Sequence, residues 1–348
     1  MFVFCTKRIT AIFDTSHISE SHKFKKTKMA NSKFATNYEE VLRICNDRIS
    51  LILWLRERNL MHNYCGICEF CNRGDVRVVI DRTYSKDEMV FRCNNTRCKK
   101  RSSIRRDSWF SGSHLPLETI LKLTYYWVYK TPNEVITREL RIGSKHTVVD
   151  WRNFCRDVCI DICMRNSKKI GGPGRVVEID ESKFGKRKYN RGRRVDGAWV
   201  FGGIDRESKE CFFEIVEDRS AETLIPIIER NVARGSEIHS DCWKAYARLG
   251  SLGYVHKTVN HSKEFVNPET GAYTQNIEST WHVLKKSLPV YGCRKDLYES
   301  YFEEFVVRRK FLSDAADPFL KFLELVADVY PKKARVPTEM VLSDSMEY

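Results

Sequence analysis

The run Gly171-Gly172-Pro173-Gly174 divides the chain into two differently patterned halves. Three glycines and a proline in four residues break any regular element, because glycine loses too much chain entropy and proline lacks an N–H. After this break, short apolar runs read as strands. Val176 to Asp180 is the first, and Ala198 to Ile204 and Cys211 to Val216 are two more, joined by a turn at Asp205-Arg206-Glu207. Ala221 to Ala233 has a helical period. Glu237 to Ser240 is a fourth strand that ends at Asp241, and Asn276 to Leu288 and Asp296 to Ser313 are helical again. Three strands, a helix, a further strand and then helices predict an α/β unit.

The half before the break is patterned otherwise. Residues 1–35 are polar, rich in Lys, Ser and Thr, and lack a steady period, so a flexible arm is expected, with Met29 as an alternative start. Tyr38, Val41, Leu42, Cys45, Ile49, Ile52, Leu53 and Leu60 recur at helical spacing. Residues 115–166 read as three helices. Pro116 opens the first, Thr131-Pro132 separates it from a second over Asn133 to Leu140, and Ser144 starts a third that ends near Arg165. This is the spacing of a helix-turn-helix, whose third helix begins Ser144-Lys145-His146-Thr147 and continues through Trp151 and Arg152. Polar and basic residues near that N-terminus are placed to reach base edges; a plain helical linker fits the pattern equally.

Cys65, Cys68, Cys71, Cys93 and Cys98 lie within 34 residues. Two close pairs separated by a loop of roughly 20 residues suit a tetrahedral Zn²⁺ held by four thiolates, a structural site with no open position. Only four of the five are needed. A metal knuckle often turns through a left-handed residue after its second cysteine, and Asn72 after Cys71 tolerates that better than Glu69 after Cys68. Cys68, Cys71, Cys93 and Cys98 are therefore the expected ligands, with Cys65 the alternate. Cys155, Cys159 and Cys163, at i, i+4 and i+8 on a helix, read as a buried stripe.

The formal net charge is +14, which predicts an anionic partner, and nucleic acid is the commonest. Two basic runs stand out. Arg97, Lys99, Lys100, Arg101, Arg105 and Arg106 follow one another around the last cysteine. Lys183, Lys186, Arg187, Lys188, Arg191, Arg193 and Arg194 follow the first strand with no acid among them. Both are candidate phosphate contacts. No apolar run approaches the roughly 18–20 residues of a membrane helix, and Met1 to Cys5 is too short for a signal-peptide core. The expected setting is intracellular: the nucleus in a eukaryote, otherwise the cytoplasm or nucleoid. Thiols are expected there rather than a disulfide framework.

Three carboxylates fall at element ends. Asp180 closes the first strand, Asp241 follows the fourth, and Glu278 starts a helix on the face shared by Trp281 and Lys285. Acids gathered there repel one another and need cations. Hard oxygen donors select Mg²⁺ or Mn²⁺, and two such ions suit phosphoryl displacement. Strand-end Asp and helix-start Glu also serve as caps, so the arrangement alone leaves both readings open. Trp243, Tyr246 and Trp281 read as core, and His239 and His261 as hydrogen-bonded structural histidines, with a place at the site left open for His261 by its motif.

The surrounding motifs resemble those of the Merlin and ISXO2-like (IS1016/IS1595-like) DDE transposases, over roughly residues 65–312. They are Val177-Glu178-Ile179-Asp180-Glu181-Ser182, Ser240-Asp241-Cys242-Trp243-Lys244-Ala245-Tyr246, Val259-Asn260-His261-Ser262, the stretch Gly271 to Trp281, and Tyr301 to Phe311. The cysteine cluster followed by Trp109-Phe110-Ser111-Gly112-Ser113 resembles the family's zinc ribbon. The resemblance implies an RNase H-like core with Asp180, Asp241 and Glu278 as catalytic acids, and Lys285 as a contact to DNA near the scissile phosphate. Tyr273 departs from it, standing where relatives usually carry His.

The implied activity is cut-and-paste transposition: cleavage and strand transfer at terminal inverted repeats of double-stranded DNA, into target DNA, by a homodimer or larger assembly. The alternatives are a catalytically inactive, domesticated transposase acting as a zinc-dependent DNA-binding protein, or an RNase H-like nuclease without strand transfer. The expected organisation is a basic arm (1–37), an N-terminal helix (38–63), a zinc ribbon (64–113), a helical DNA-binding or linker segment (114–170), the catalytic domain (171–315), and a C-terminal helix and tail (316–348).

Overall fold

The computed structural model describes residues 35–62, 67–81, 83, 86–185, 197–289 and 293–330. The arm expected over 1–37 lies almost wholly outside them. Where one N-terminal helix was expected, two form: α1 (Tyr38–Ile44) and α2 (Arg48–Glu57). The break falls at Asp47, whose carboxylate accepts from the Ser50 N–H at 2.7 Å and so restarts the helix as an N-cap. The apolar period runs through the break unchanged, which hides it in the sequence.

A three-stranded antiparallel sheet follows, β1 (Val76–Ile80), β2 (Met89–Cys93) and β3 (Arg101–Ser103), in the order β1-β2-β3. Then come α3 (Leu117–Val128), α4 (Asn133–Glu139) and α5 (Lys145–Arg165). Ser144 sits at the N-cap of α5 but makes no capping bond with its side chain. Cys155 and Cys159 are buried along α5, in the stripe their spacing suggests. One apolar core joins α1, α2, α3 and α5 to Met89, Phe91, Ile104, Trp109 and Phe110.

The second half is built on β4 (Ile170–Gly171), β5 (Val176–Phe184), β6 (Ala198–Asp205), β7 (Cys211–Val216), α6 (Ala221–Asn231), β8 (Val232–Ala233), β9 (Glu237–Ser240), β10 (Val255–Thr258) and α7 (Gln275–Ser287). Its sheet has the order β10-β9-β5-β6-β7. β5, β6 and β7 are antiparallel neighbours, and β9 and β10 add parallel to β5. A three-stranded meander extended from its first strand by two parallel strands is the RNase H-like sheet. Strand alternation splits its two faces. Val177, Ile179 and Phe201 pack on the side of α6, and Phe184, Val200, Ile204 and Phe213 on the side of α7 and α8 (Tyr298–Val307). A π-helical turn, Arg308–Leu312, continues α8, and α9 (Pro318–Val329) returns to the helical core. Arg308 donates to the carbonyls of Trp127 and Val128 and lies over the Trp127 ring, clipping the end of α8 to α3. Among the described residues no helix is long and apolar enough to cross a membrane.

The face of β5 toward α7 decides where the helix sits. Glu178 is fully buried and accepts from the N–H groups of Asn276 and Ile277 at 2.8 and 3.0 Å, from Asn276 Nδ2 at 2.7 Å and from Arg206 Nε at 3.0 Å. Thr274, the N-cap residue of α7, makes no capping bond of its own, so Glu178 does that work from the neighbouring strand. Two residues on, Asp180 accepts from Trp281 Nε1 at 3.0 Å, and two further, Ser182 accepts from Lys285 Nζ at 2.6 Å. Two strand residues rise about 6.7 Å and four helix residues about 6 Å, so the two elements match rung for rung. Replacing Glu178 by Ala takes from Arg206 its carboxylate partner and leaves two helix-end N–H groups without their acceptor. The expected loss is about 3 kcal/mol or more, measured by urea unfolding. A loss below about 0.5 kcal/mol, the size of an ordinary surface substitution, would show that Glu178 does not hold α7.

Candidate active site and metal centre

β5 and β9 run parallel, with Glu178 opposite His239, so Asp180 and Glu181, midway along β5, meet Asp241 just past the end of β9. Carboxylate oxygens of these three lie within 4.8 Å of one another. Each is aimed by a neutral side-chain or backbone donor. Trp281 Nε1 bonds Asp180, the hydroxyl of buried Tyr246 bonds Glu181, and the Trp243 N–H bonds Asp241 Oδ1 at 2.9 Å. Gly202, paired with Asp180 across β5 and β6, makes room for the indole: a Cβ there would meet Trp281 Cη2 at 2.7 Å. Burial, then the charges of Glu181 and Asp241, push the Asp180 carboxyl up to about 7. Burial also raises Glu181. The Arg219 charge draws Glu181 the other way, but among the described residues no cation bonds any of the three, and oxygen donors this close suit a hard divalent cation.

Glu278 stands apart from that cluster. Its Oε1 accepts from Thr274 Oγ1 at 3.0 Å and lies 3.4 Å from His261 Nε2, and Thr274 Oγ1 also pairs with His261 Nε2 at 2.8 Å. These contacts hold the carboxylate at the rim, so the structure unites Asp180 and Asp241 with Glu181 rather than with Glu278. Glu181 was missed because alternation along a strand sends neighbours to opposite faces; its partner Tyr246, in the same motif as Asp241, was the available signal.

His239 is buried and fully engaged, as a structural histidine should be. Its Nδ1 accepts from Arg206 and from the Tyr273 N–H, and Nε2 faces Glu237 Oε1 at 2.7 Å. These partners assign the ring proton to Nε2. The Tyr273 ring lies under the Arg206 guanidinium, 3.6 Å from it. Tyr246 and Trp281 are core residues, but Trp243 is not. It is 39% exposed, its Nε1 donates to the Arg219 carbonyl, and Arg219 lies between it and Trp199. The turn that carries Asp241 leaves the sheet before Trp243, so the indole finds no core to enter.

Cys68, Cys71, Cys93 and Cys98 form a second cluster, with their sulfurs within 4.8 Å of one another. Cys68 and Cys98 are 3.9 Å apart, and Cys71 and Cys93 3.7 Å. Tetrahedral Zn–S bonds of about 2.3 Å require S···S separations near 3.8 Å, so this donor set could hold a metal ion. Both knuckles turn through a left-handed residue, Asn72 (φ 51°) after Cys71 and Lys99 (φ 47°) after Cys98. Cys65 lies outside the described residues.

Of the candidate DNA contacts, Lys99, Lys100 and Arg101 are exposed, with Arg101 paired to Asp81. Lys183 reaches over the Trp199 ring. Lys186, Arg187, Lys188, Arg191, Arg193 and Arg194 lie outside the described residues. At the start of α5, Lys145 and His146 are exposed, whereas Trp151 is buried and Arg152 turns back to the Thr131 carbonyl.

Strand order and acid placement thus define an RNase H-like core with a carboxylate site at the middle of its first strand and the end of its fourth. Residues 171–310 match the ISXO2-like transposase domain. An uncharacterized transposase-like protein of Haemophilus influenzae is 30% identical over 91 residues, spanning 26% of this chain and 72% of the relative. The chain belongs to the ISXO2-like family of DDE transposases. Two solved structures share a loose likeness at 14% identity. They are the HTLV-2 integrase catalytic core in complex with magnesium (TM-score 0.29; 41% of this chain, 92% of that one) and the BIV integrase catalytic core (0.28; 40% and 84%). At such scores the fold assignment rests on the strand order alone.

The cluster has a pH signature. With its folded value near 7 against an ordinary 3.8, Asp180 holds a proton in the folded state that the unfolded chain has released between those values. Its contribution is therefore full below pH 4 and is lost as pH rises through 7. In chelator, Asp180→Asn, which does not titrate, should gain in Tm on the parent protein as pH rises from 4 to 8. Parallel Tm profiles for the two proteins would show that Asp180 ionises normally.

Proposed function

We propose that this chain is a metal-dependent DNA transposase that cleaves a phosphodiester at terminal inverted repeats and joins the freed 3′-OH to target DNA. The observation that carries this reading is the meeting of Asp180, Glu181 and Asp241 within 4.8 Å in a chain of this family. Asp180 and Asp241 would hold Mg²⁺ or Mn²⁺, with Glu181 or Glu278 completing the donor set. A pair of such ions supplies activation of the attacking oxygen and stabilisation of the leaving one. Trp281, Tyr246 and the Trp243 N–H hold the carboxylates in place for that task. Glu278, with His261 and Thr274, waits at the rim. Lys285 and the basic stretch from Lys183 to Arg194 would hold phosphates beside it.

The four thiolates would take a structural Zn²⁺, and the ribbon and the start of α5 would contact the element ends. Synapsis of two ends requires at least two copies of the chain. The expected organisation into arm, ribbon, helical segment and catalytic domain belongs to the same proposal. The position of Glu278 outside the cluster favours one alternative, a DNA-binding protein that no longer cleaves.

Labelled terminal-repeat duplex tests these readings. Asp180→Asn and Asp241→Asn should lower Mg²⁺-dependent nicking by more than the roughly 10–100-fold that loss of an outer partner costs, with duplex binding retained. Comparing Glu181→Gln with Glu278→Gln identifies the third acid. Full nicking by Asp241→Asn would end the catalytic assignment. Binding without nicking by the unaltered chain would leave the DNA-binding reading, and nicks without joined products would leave a nuclease.

A further inference from the structure

The outward face of the ribbon sheet carries a row of arginines. Antiparallel register sets Arg77 of β1 opposite Arg92 of β2, and Arg92 opposite Arg101 of β3. Residues directly opposite on antiparallel strands project from the same face, with Cβ atoms about 4.5–5.5 Å apart. The three strands therefore each place one guanidinium-bearing side chain in a single line. The other face is accounted for, since Val76 and Val78 pack against the helical core. On the arginine face, Arg77 and Arg101 are exposed and Arg92 is half-buried.

Like charges set directly opposite destabilise a sheet, and little here offsets them. Asp81, just past β1, pairs with Arg101 at 3.0 Å, and Asp75 lies exposed before β1. Among the described residues no carboxylate lies within ion-pairing distance of Arg77 or Arg92. A groove of about 230 Å³ runs beside the row, lined by Arg77, Val79, Arg92, Asn94, Thr96 and Lys99. Lys99 is the left-handed residue after Cys98, so the same turn that gathers the cysteines delivers a third cation to the groove. Asn94 and Thr96 add neutral donors of the kind that bond phosphate oxygens.

We propose that this row, centred on Arg77 and Arg92, binds the phosphodiester backbone of duplex DNA. The identity of the anion rests on the transposase reading above; the site itself is separate from the carboxylate cluster. Guanidinium forks match phosphate oxygens two at a time. Contacts to phosphate oxygens fix position and carry no sequence information. The row therefore grips without reading sequence.

The test is a salt titration of duplex binding by the full chain, using one duplex of terminal-repeat sequence and one of scrambled sequence. Each phosphate contact contributes about 0.9 to the slope of log K against log salt. Arg77→Gln with Arg92→Gln should flatten the slope by about 1.8 on both duplexes. The affinity ratio of parent to variant should then shrink about tenfold between 50 and 200 mM salt. Zinc content and Tm serve as controls, because Arg92 adjoins Cys93. If the double variant loses zinc, Arg77→Gln alone should flatten the slope by about 0.9. An unchanged slope in a folded, zinc-loaded variant overturns this proposal alone, and so does a loss confined to the terminal-repeat duplex. Failure of the unaltered chain to bind either duplex overturns it together with the transposase reading.

Discussion

The carboxylate of Glu178, buried at the head of α7, is the joint on which the catalytic half depends. A buried charge without partners is costly, but this one has an arginine, two helix-end N–H groups and a side-chain amide around it. Because it caps α7 from β5, the helix cannot slide along the sheet without breaking several bonds at once. That fixes Trp281 against Asp180 and Lys285 against Ser182. Arg206 carries the same constraint outward to His239 and to the Tyr273 carbonyl. Residues from β5, β6, β9 and α7 thus form one connected polar unit beneath the carboxylate cluster.

Much of this fold was legible because its signals are local. Ala198 to Asp205 and Cys211 to Val216 are apolar enough to announce themselves, and Glu237 to Ser240 is followed by a clear turn. The α/β class followed from their order. The misses have physical causes. β5 continues to Phe184 through Glu181, Ser182 and Lys183, which no propensity favours; its pairing from Asp180 opposite Gly202 to Phe184 opposite Ala198 supplies the stability. β10 escaped because Val255 to Thr258 is a polar edge strand, held by β9 alone. The split between α1 and α2 escaped because Asp47 restarts the helix without disturbing its apolar period.

The sites divide in the same way. The cysteine cluster could be read because ligand spacing and the need for a left-handed residue are local matters, and Asn72 meets that need. Asp180 and Asp241 could be read because each follows a short apolar run, although β5 itself continues past Asp180. Glu181 and the rim position of Glu278 could not, since they depend on Tyr246, Thr274 and His261, which reach them only in the folded chain. The arginine row was hidden for a related reason. Arg77, Arg92 and Arg101 are scattered in sequence, and only strand register lines them up.

Two acids on one strand, two residues apart, receive opposite treatment. Glu178 is fully buried and is offset by Arg206 and by three N–H donors. Asp180 receives only neutral donors, Trp281 and the Glu181 backbone, and the donors to Glu181 and Asp241, Tyr246 and the Trp243 N–H, are neutral as well. Arginine was available to this strand, since Arg206 bonds Glu178, yet none bonds Asp180 among the described residues. Had the cluster been merely structural, a guanidinium or ammonium at Asp180 would have removed most of its repulsion, as it does at Glu178. The fold instead aims three carboxylates with neutral donors, and the charge deficit that results suits a divalent cation.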